Sequence, residues 1–177
     1  MSKKLIIFID SGDTIVNEET QIYNDRGIVA AAQLIPGAKD NVRRLHEEGF
    51  TITLVADGEW EAFENVYGQH QMMDCFDVWS VSSAVGVEKP EPAMFTTAME
   101  KLSLTEEDKP RIVMIGNNLK KDIAGANRMG LTSIWLDWSP RYFHTVEEAD
   151  WKPDYTVSTH EELYALIYEL EEKLHNA

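Results

Sequence analysis

The sequence predicts an α/β fold: a doubly wound, Rossmann-like parallel sheet of about five to six strands, with helices on both faces. Short apolar segments alternate with helical patterns along the 177 residues, and this alternation is typical of parallel sheets. The first apolar segment, residues 5–9, contains no polar side chain, as expected of a strand that is covered on both faces.

Further strands and helices follow in alternation. After residues 5–9, strands are predicted at 50–55, 77–81, 111–115, 131–136 and 154–157. Helices are predicted at 38–48, at 59–69, from Pro92 onward, at 119–129 and from 160 onward. Gly49 and Gly130 follow two of these helices and end them. Thr159 and Glu162 form a capping box that begins the last one.

The composition limits the class of protein. The length predicts one domain over residues 1–177, and the hydrophobic fraction of 44% predicts that this domain folds alone. The formal net charge of −15 argues against nucleic acid and anionic membranes as partners. Cys75 is the single cysteine, which excludes an intrachain disulfide. Because we recognise neither a signal peptide nor an apolar run of about 20 residues, we expect a soluble, cytoplasmic protein.

Polar residues follow the predicted strands. Asp10 comes directly after the first strand, and Gly12 and Asp13 follow it. Ligand sites of open α/β sheets lie at the carboxyl ends of their strands, so Asp10 is a candidate nucleophile or metal ligand. An ordinary turn is the alternative, because Asp, Ser and Gly are common turn residues.

Three more segments of this kind occur along the chain. They are Ala56-Asp57-Gly58 after the second strand, Lys89 before the helix at Pro92, and residues 116–122 after the fourth strand. A solvated loop would explain Lys89 by itself, and a helix dipole would explain Asp122. In a parallel sheet, however, all of these segments lie at the same edge as Asp10.

In order and spacing these segments resemble four motifs of the haloacid dehalogenase superfamily of phosphohydrolases. The motifs are Asp10-Ser-Gly-Asp-Thr14, Ala56-Asp57-Gly58, Lys89-Pro90-Glu91-Pro92, and Gly116 to Asp122. The resemblance extends from about residue 4 to about residue 167. It implies an HAD-like fold, phosphoryl transfer to an aspartate, and Mg²⁺ as the cofactor.

The resemblance also implies roles for these residues. Asp10 would be the nucleophile, and Lys89 would orient it and neutralise the phosphoryl oxygens. Mg²⁺ would bind Asp10, the Gly12 carbonyl and Asn117, with Asp122 near or behind it. Substrate contacts would come from Lys89 and from the segment formed by Ala56, Asp57 and Gly58.

Three positions depart from the family pattern. Gly12 stands where the family has an Asp that acts as general acid and base. Ala56 lacks the hydroxyl that would bind phosphate, and Asn117 replaces an Asp. Asp13 is a candidate to replace the missing acid if the turn directs it inward. The alternative is an Asp13 that points outward from an ordinary turn.

The gaps after Thr14 and after Gly58 are too short for a cap domain. The site is therefore expected to be open, unless a second subunit covers it or a set of rim residues closes it. Those rim residues are Tyr23, Trp138, Arg141, Tyr142 and Phe143.

The sequence thus predicts a Mg²⁺-dependent phosphohydrolase that forms an aspartyl phosphate. Its substrate would be a small phosphate monoester or acyl phosphate, and a homo-oligomer is a candidate assembly. The alternative is a catalytically impaired member with a binding or regulatory role. A metal-independent dehalogenase is a weaker alternative.

Overall fold

The computed structural model describes residues 4–176, so Met1, Ser2, Lys3 and Ala177 lie outside the description. Its main sheet has six parallel strands in the order β5-β4-β1-β6-β7-β8, which confirms the predicted fold class. The strands are β1 (Ile6–Ile9), β2 (Ile22–Tyr23), β3 (Val29–Ala31), β4 (Thr51–Ala56), β5 (Val78–Val81), β6 (Ile112–Gly116), β7 (Thr132–Leu136) and β8 (Tyr155–Val157).

Helices cover both faces of this sheet. They are α1 (Ala38–Glu47), α2 (Trp60–Gln69), α3 (Ser82–Val85), α4 (Pro92–Lys101), α5 (Ala124–Met129) and α6 (His160–Asn176). The helix predicted at 119–129 begins instead with a π-helical turn over Leu119–Ile123. The Asn118 side chain caps this turn by accepting hydrogen bonds from the backbone N–H groups of Lys120 and Lys121.

The central strand, β1, is buried on both sides. Ile7 and Ile9 pack into the apolar cluster that contains side chains of α1, α2 and α6. Ile6 and Phe8 face the opposite cluster, with side chains of α4 and α5. Because burial of each such side chain is worth about 1.5–3 kcal/mol, the polar segment that follows β1 starts from a firmly held strand.

The segment between β1 and α1 forms a small hairpin, although the sequence predicted no regular structure there. A 3₁₀ turn at Glu18–Thr20 precedes the antiparallel pair β2–β3. Asn65 of α2 donates a hydrogen bond to the Val29 carbonyl at 3.0 Å, and Gln69 accepts one from the Ala32 N–H at 3.2 Å. Together with an ion pair between Glu61 and Arg26, these side chains of α2 hold the hairpin.

Helix α6 is hydrogen-bonded to the loop after β1. Glu162 N–H donates to the Thr159 hydroxyl at 3.1 Å, but the Glu162 carboxylate accepts from Ser158 N–H rather than from Thr159. His160, which is 2% exposed, donates from Nε2 to the Thr14 carbonyl at 2.7 Å. Its Nδ1 accepts from the Asn41 amide at 2.9 Å, which makes the ring the neutral Nε2–H tautomer.

Within residues 4–176, every helix is too short or too polar to span a membrane. Cys75 is buried with a free thiol.

Stability should decrease in mild acid because of His160. Burial lowers the pKa of His160 below its ordinary value, although the hydrogen bond to the Thr14 carbonyl opposes this shift. Below about pH 6.5 the unfolded chain therefore binds more protons than the folded chain, and the free energy of unfolding falls. We expect the urea midpoint to decrease from about pH 7.5 to about pH 5.5, and to decrease less in His160→Gln. The same decrease in wild type and variant would assign the effect to other groups.

Candidate active site

A polar cleft lies at the carboxyl ends of three neighbouring strands. Asp10 follows β1, Asp57 follows β4, and Asn117 follows β6. Since β1 lies between β4 and β6, the three side chains meet at one edge of the sheet. The cleft is lined by Asp10, Gly12, Glu18, Asp57, Lys89, Asn117, Asn118, Lys121, Asp122 and Tyr142.

Lys89 joins two carboxylates at the base of the cleft. Its Nζ lies 2.7 Å from an oxygen of Asp10 and 2.7 Å from an oxygen of Asp122, and it donates to the Val55 carbonyl at 2.8 Å. Burial alone would lower the pKa of Lys89, but Asp10, Asp122 and Asp57 together raise it above the ordinary value. The Lys89 and Asp122 side chains are 1% exposed, whereas the Asp10 side chain is 13% exposed. Asp10 is therefore the member of this trio that a substrate can reach.

Asp122 is held behind Asp10 by backbone contacts. Its Oδ2 accepts a hydrogen bond from Asn118 N–H at 3.0 Å. A side chain at Gly116 would overlap the Asp122 carboxylate, so a glycine is needed at the end of β6. Burial raises the pKa of Asp122, and the neighbouring Asp10 carboxylate adds to this effect against the opposing influence of Lys89.

The Asn117 amide faces several oxygen groups. One of its terminal atoms lies 3.1 Å from Asp10 Oδ2, 3.0 Å from the Gly12 carbonyl oxygen and 3.3 Å from the Thr14 hydroxyl. With the nitrogen in this position, the amide donates to these groups. With the oxygen there, a carboxylate, a carbonyl and an amide oxygen converge, and this is a donor set for a hard divalent cation. The Asn117 backbone carbonyl is fixed by Trp135 Nε1 at 3.0 Å.

Charge in the cleft also fits a divalent cation. Four carboxylates, from Asp10, Glu18, Asp57 and Asp122, line it together with two lysines, so an anionic substrate needs further positive charge there. Within residues 4–176, His, Cys, Asp and Glu side chains form no group of three that could hold a metal. A cation at Asp10 would thus depend on neutral ligands, namely the Gly12 carbonyl and Asn117.

The segment after β4 differs from its predicted role. Asp57 accepts hydrogen bonds from Lys89 N–H and from Lys121 Nζ, both at 3.0 Å. Gly58 N–H already donates to the Ser82 hydroxyl at 2.8 Å. Ala56 is 1% exposed and belongs to the apolar core. Of the three residues, Asp57 lines the cleft, Gly58 lines the neighbouring concavity between the hairpin and α2, and Ala56 lines neither.

Asp13 is neither a proton donor in the cleft nor an outward-pointing turn residue, which were the two roles that the sequence suggested. Its side chain is fully buried, pairs with the Arg141 guanidinium, and accepts from the Ser139 hydroxyl at 2.6 Å. It also accepts from Glu18 N–H at 3.0 Å. Its φ of 49° is a left-handed conformation, which Asp tolerates better than most residues do. Because its carboxylate is fully engaged away from the cleft, the role of proton donor expected of Asp13 is corrected to that of a structural anchor.

Glu18 was not predicted from the sequence. It is half-buried in the cleft, and its Oε2 accepts a hydrogen bond from the Tyr142 hydroxyl at 2.6 Å. Burial raises the pKa of Glu18, and the Asp13 and Asp10 carboxylates add to this effect, whereas Tyr142 and Arg141 oppose it. Glu18 lies beside a second acid, Glu19, in a mixed segment, and no local pattern distinguishes the two.

The expected rim residues have different positions. Tyr142 lines the cleft, and Arg141 is tied to Asp13. Tyr23 and Phe143 are exposed, and Trp138 packs against the core. The loop after β7 therefore borders the cleft mainly through Tyr142.

A second concavity, here called the hairpin groove, adjoins the cleft. It lies between the hairpin and α2, and it shares Gly12, Glu18 and Asp57 with the cleft. Its apolar walls come from Val16, Ile28, Val29, Ala62, Phe63 and Val66. The hairpin thus supplies one wall of a groove that opens beside Asp10.

Comparisons with known proteins find relatives of this chain. The chain is 29% identical over 147 residues to a phosphoglycolate phosphatase of Aliivibrio fischeri, covering 83% of this chain and 62% of that protein. It is 30% identical over 145 residues to a glyceraldehyde 3-phosphate phosphatase of Methanopyrus kandleri, covering 76% of this chain and 57% of that protein. The chain thus spans less than two thirds of the length of these curated relatives.

The fold has solved counterparts. The crystal structure of the putative HAD-hydrolase YfnB from Bacillus subtilis, bound to magnesium, superposes with a TM-score of 0.74 at 17% identity, covering 93% of this chain and 99% of that chain. The family model for a haloacid dehalogenase-like hydrolase matches residues 6–130. These residues contain β1, β4, β6 and the cleft residues that follow them, and the chain belongs to the haloacid dehalogenase-like hydrolases.

Proposed function

We propose that the protein is a Mg²⁺-dependent phosphatase that hydrolyses a small phosphate monoester or acyl phosphate through an aspartyl phosphate on Asp10. The observation that carries this proposal is the placement of Asp10, which is reachable from the cleft while Lys89 beneath it is buried. Relatives named as phosphatases of phosphoglycolate and of glyceraldehyde 3-phosphate support a small phosphorylated substrate.

Seven residues of the cleft have a role in this proposal. Asp10 attacks phosphorus, and Lys89 orients its carboxylate and offsets negative charge at the base of the cleft. Asp10, the Gly12 carbonyl and Asn117 would hold the divalent cation, with Asp122 behind them. When bound, the cation supplies the positive charge that lets an anionic phosphate approach an anionic nucleophile. Asp57 keeps Lys121 at the mouth of the cleft, 3.0 Å from its own carboxylate.

A binding or regulatory member without turnover is the second candidate function. It would be favoured if no phosphate compound were hydrolysed and no phosphate analogue bound. An assembly in which a second copy covers the cleft stays a prediction from the sequence.

Asp10→Asn should abolish covalent catalysis while preserving the fold. The amide has the shape of the carboxylate but is a poor nucleophile, so we expect hydrolysis of aryl phosphates with Mg²⁺ to fall by at least about 10³-fold. BeF₃⁻ with Mg²⁺ should bind the wild type but not the variant in calorimetry. Asp40→Asn, at an exposed position on α1, is the matched control. Equal rates for wild type and Asp10→Asn would exclude the covalent route.

Asn117→Asp should tighten Mg²⁺ binding. A carboxylate 3.1 Å from Asp10 Oδ2 adds a negative ligand to a set in which two members are neutral, and Coulomb attraction to the cation rises by an amount on the order of a few kcal/mol before desolvation. Titration calorimetry with Mg²⁺ in the absence of substrate measures this directly. Equal affinities of the two proteins would place Asn117 outside the metal site.

Lys89→Met should destabilise the folded chain as well as inactivate it. Methionine fills the space but leaves Asp10 and Asp122 without their shared cation, and loss of one partner from a buried ion pair costs about 3–5 kcal/mol. Urea unfolding at neutral pH checks the free energy, with Lys152→Met at an exposed position as control. If both variants unfold at the wild-type midpoint, the ion pairs of Lys89 do not stabilise the fold.

A further inference from the structure

The proposed reaction leaves one requirement unmet. When the bond between phosphorus and the leaving oxygen breaks, an alkoxide needs a proton, and the turn after β1 offers none. Gly12 has no side chain, and the Asp13 carboxylate is buried against Arg141 and Ser139. A proton donor must therefore come from another part of the cleft.

The carboxylates that line the cleft differ in their partners. Asp10 and Asp122 share the ammonium of Lys89, and Asp57 accepts from Lys121. Glu18 instead accepts its side-chain hydrogen bond from the Tyr142 hydroxyl. Among the described residues, Glu18 is thus the one of these four carboxyl groups that no lysine holds in place.

Position and space also single out Glu18. An ideal Cβ at Gly12 would overlap the Glu18 Oε1 atom and lie 2.8 Å from its Cδ. The Glu18 carboxyl group thus fills the space of a position-12 side chain, two residues after Asp10. Glu18 also lines both the cleft and the hairpin groove, so it stands between the place for the phosphoryl group and the place for the group that leaves.

Neighbouring residues hold this arrangement. Asp13 Oδ1 accepts from Glu18 N–H at 3.0 Å, which fixes the backbone at the start of the 3₁₀ turn. Tyr142 fixes Oε2 at 2.6 Å, and Arg141 and Ser139 of the same loop bind Asp13. Asp13, whose carboxylate is buried against Arg141, thereby helps to position Glu18.

Resting on the proposed phosphatase function, we propose that Glu18 is the proton donor and acceptor of the reaction, in the space left free by Gly12, and that Asp13 and Tyr142 are its positioning residues. In the first step an Asp10 oxygen bonds to phosphorus, and the bond from phosphorus to the leaving oxygen breaks with its electron pair on that oxygen. The Glu18 carboxyl proton passes to this oxygen, which gives the alcohol and a Glu18 carboxylate.

The second step returns both residues to their starting state. A water molecule loses a proton to the Glu18 carboxylate and bonds to phosphorus. The bond between phosphorus and Asp10 breaks, which releases inorganic phosphate and the Asp10 carboxylate. Glu18 is then protonated again.

The test compares leaving groups in Glu18→Gln. With Mg²⁺ and a series of alkyl and aryl phosphates, kcat/KM reports the first step. We expect a loss of about 10²–10⁴-fold for alkyl phosphates, where the proton is needed, and a much smaller loss for 4-nitrophenyl phosphate. The dependence of kcat/KM on the leaving-group pKa should therefore steepen. A burst of nitrophenolate should also appear in the variant, because the aspartyl phosphate then lacks its base.

Two further variants separate this role from a structural one. Glu19→Gln, at the adjacent exposed acid, should keep the wild-type profile. Gly12→Asp combined with Glu18→Ala should restore at least about tenfold of the lost alkyl phosphatase activity over Glu18→Ala, since a carboxyl group returns to the same space. Gly12 has no left-handed φ, so a side chain is compatible with its backbone once Glu18 is shortened.

The outcomes distinguish this inference from the function on which it rests. If the wild type hydrolyses the series and Asp10→Asn does not, but Glu18→Gln lowers kcat/KM equally for all leaving groups or not at all, the role of Glu18 is overturned and the phosphatase stands. Failure of the double variant to restore activity, with Glu18→Gln also showing no dependence on the leaving group, overturns the role of Glu18 in the same way. No hydrolysis of any member by the wild type overturns both.

Discussion

The buried ammonium of Lys89 holds the site together. It lies within 2.7 Å of both Asp10 and Asp122 and also donates to the Val55 carbonyl. In this way one side chain links the loop after β1, the end of β4 and the π-helical turn after β6. Two carboxylates this close would repel each other without a cation between them. The Lys89 ammonium lies between these two carboxylates and offsets their repulsion at the base of the cleft.

The altered residues after β1 form a consistent set. Gly12 leaves a space, Glu18 fills it, and Asp13 is turned into the protein where Arg141 neutralises it. A buried carboxylate without such a partner would be costly, and the loop after β7 supplies the partner. The first motif has therefore not simply lost its polar groups. Its polar groups are redistributed between the loop after β1, the 3₁₀ turn and the loop after β7.

The sequence predicted the parallel sheet and the meeting of Asp10, Asp57, Lys89, Asn117 and Asp122, because these depend on local patterns and on the rule that strand ends share one edge. It did not predict the positions of Glu18 and Tyr142. Their contact joins residues 124 positions apart, and neither lies in a periodic segment. The pairing of buried Asp13 with Arg141 was not predicted either, since the two residues are 128 positions apart. Long-range pairing of polar side chains has no signature in local spacing.

The strand ends and the hairpin contribute different parts of the proposed site: the strand ends hold reacting groups, and the hairpin forms a wall of the groove beside them. Asp10, which would attack phosphorus, and Asn117, which would hold the cation, directly follow two buried strands of the core. The groove wall formed by Ile28 and Val29 belongs to a short hairpin that Asn65 and Gln69 of α2 contact. The two hairpin strands form a sheet of their own, separate from the six-stranded sheet. Under the proposed function, substitutions at Ile28 and Val29 would reshape the groove beside Asp10, and with it the choice of leaving alcohol, while Asp10, Lys89 and Asn117 would keep their places.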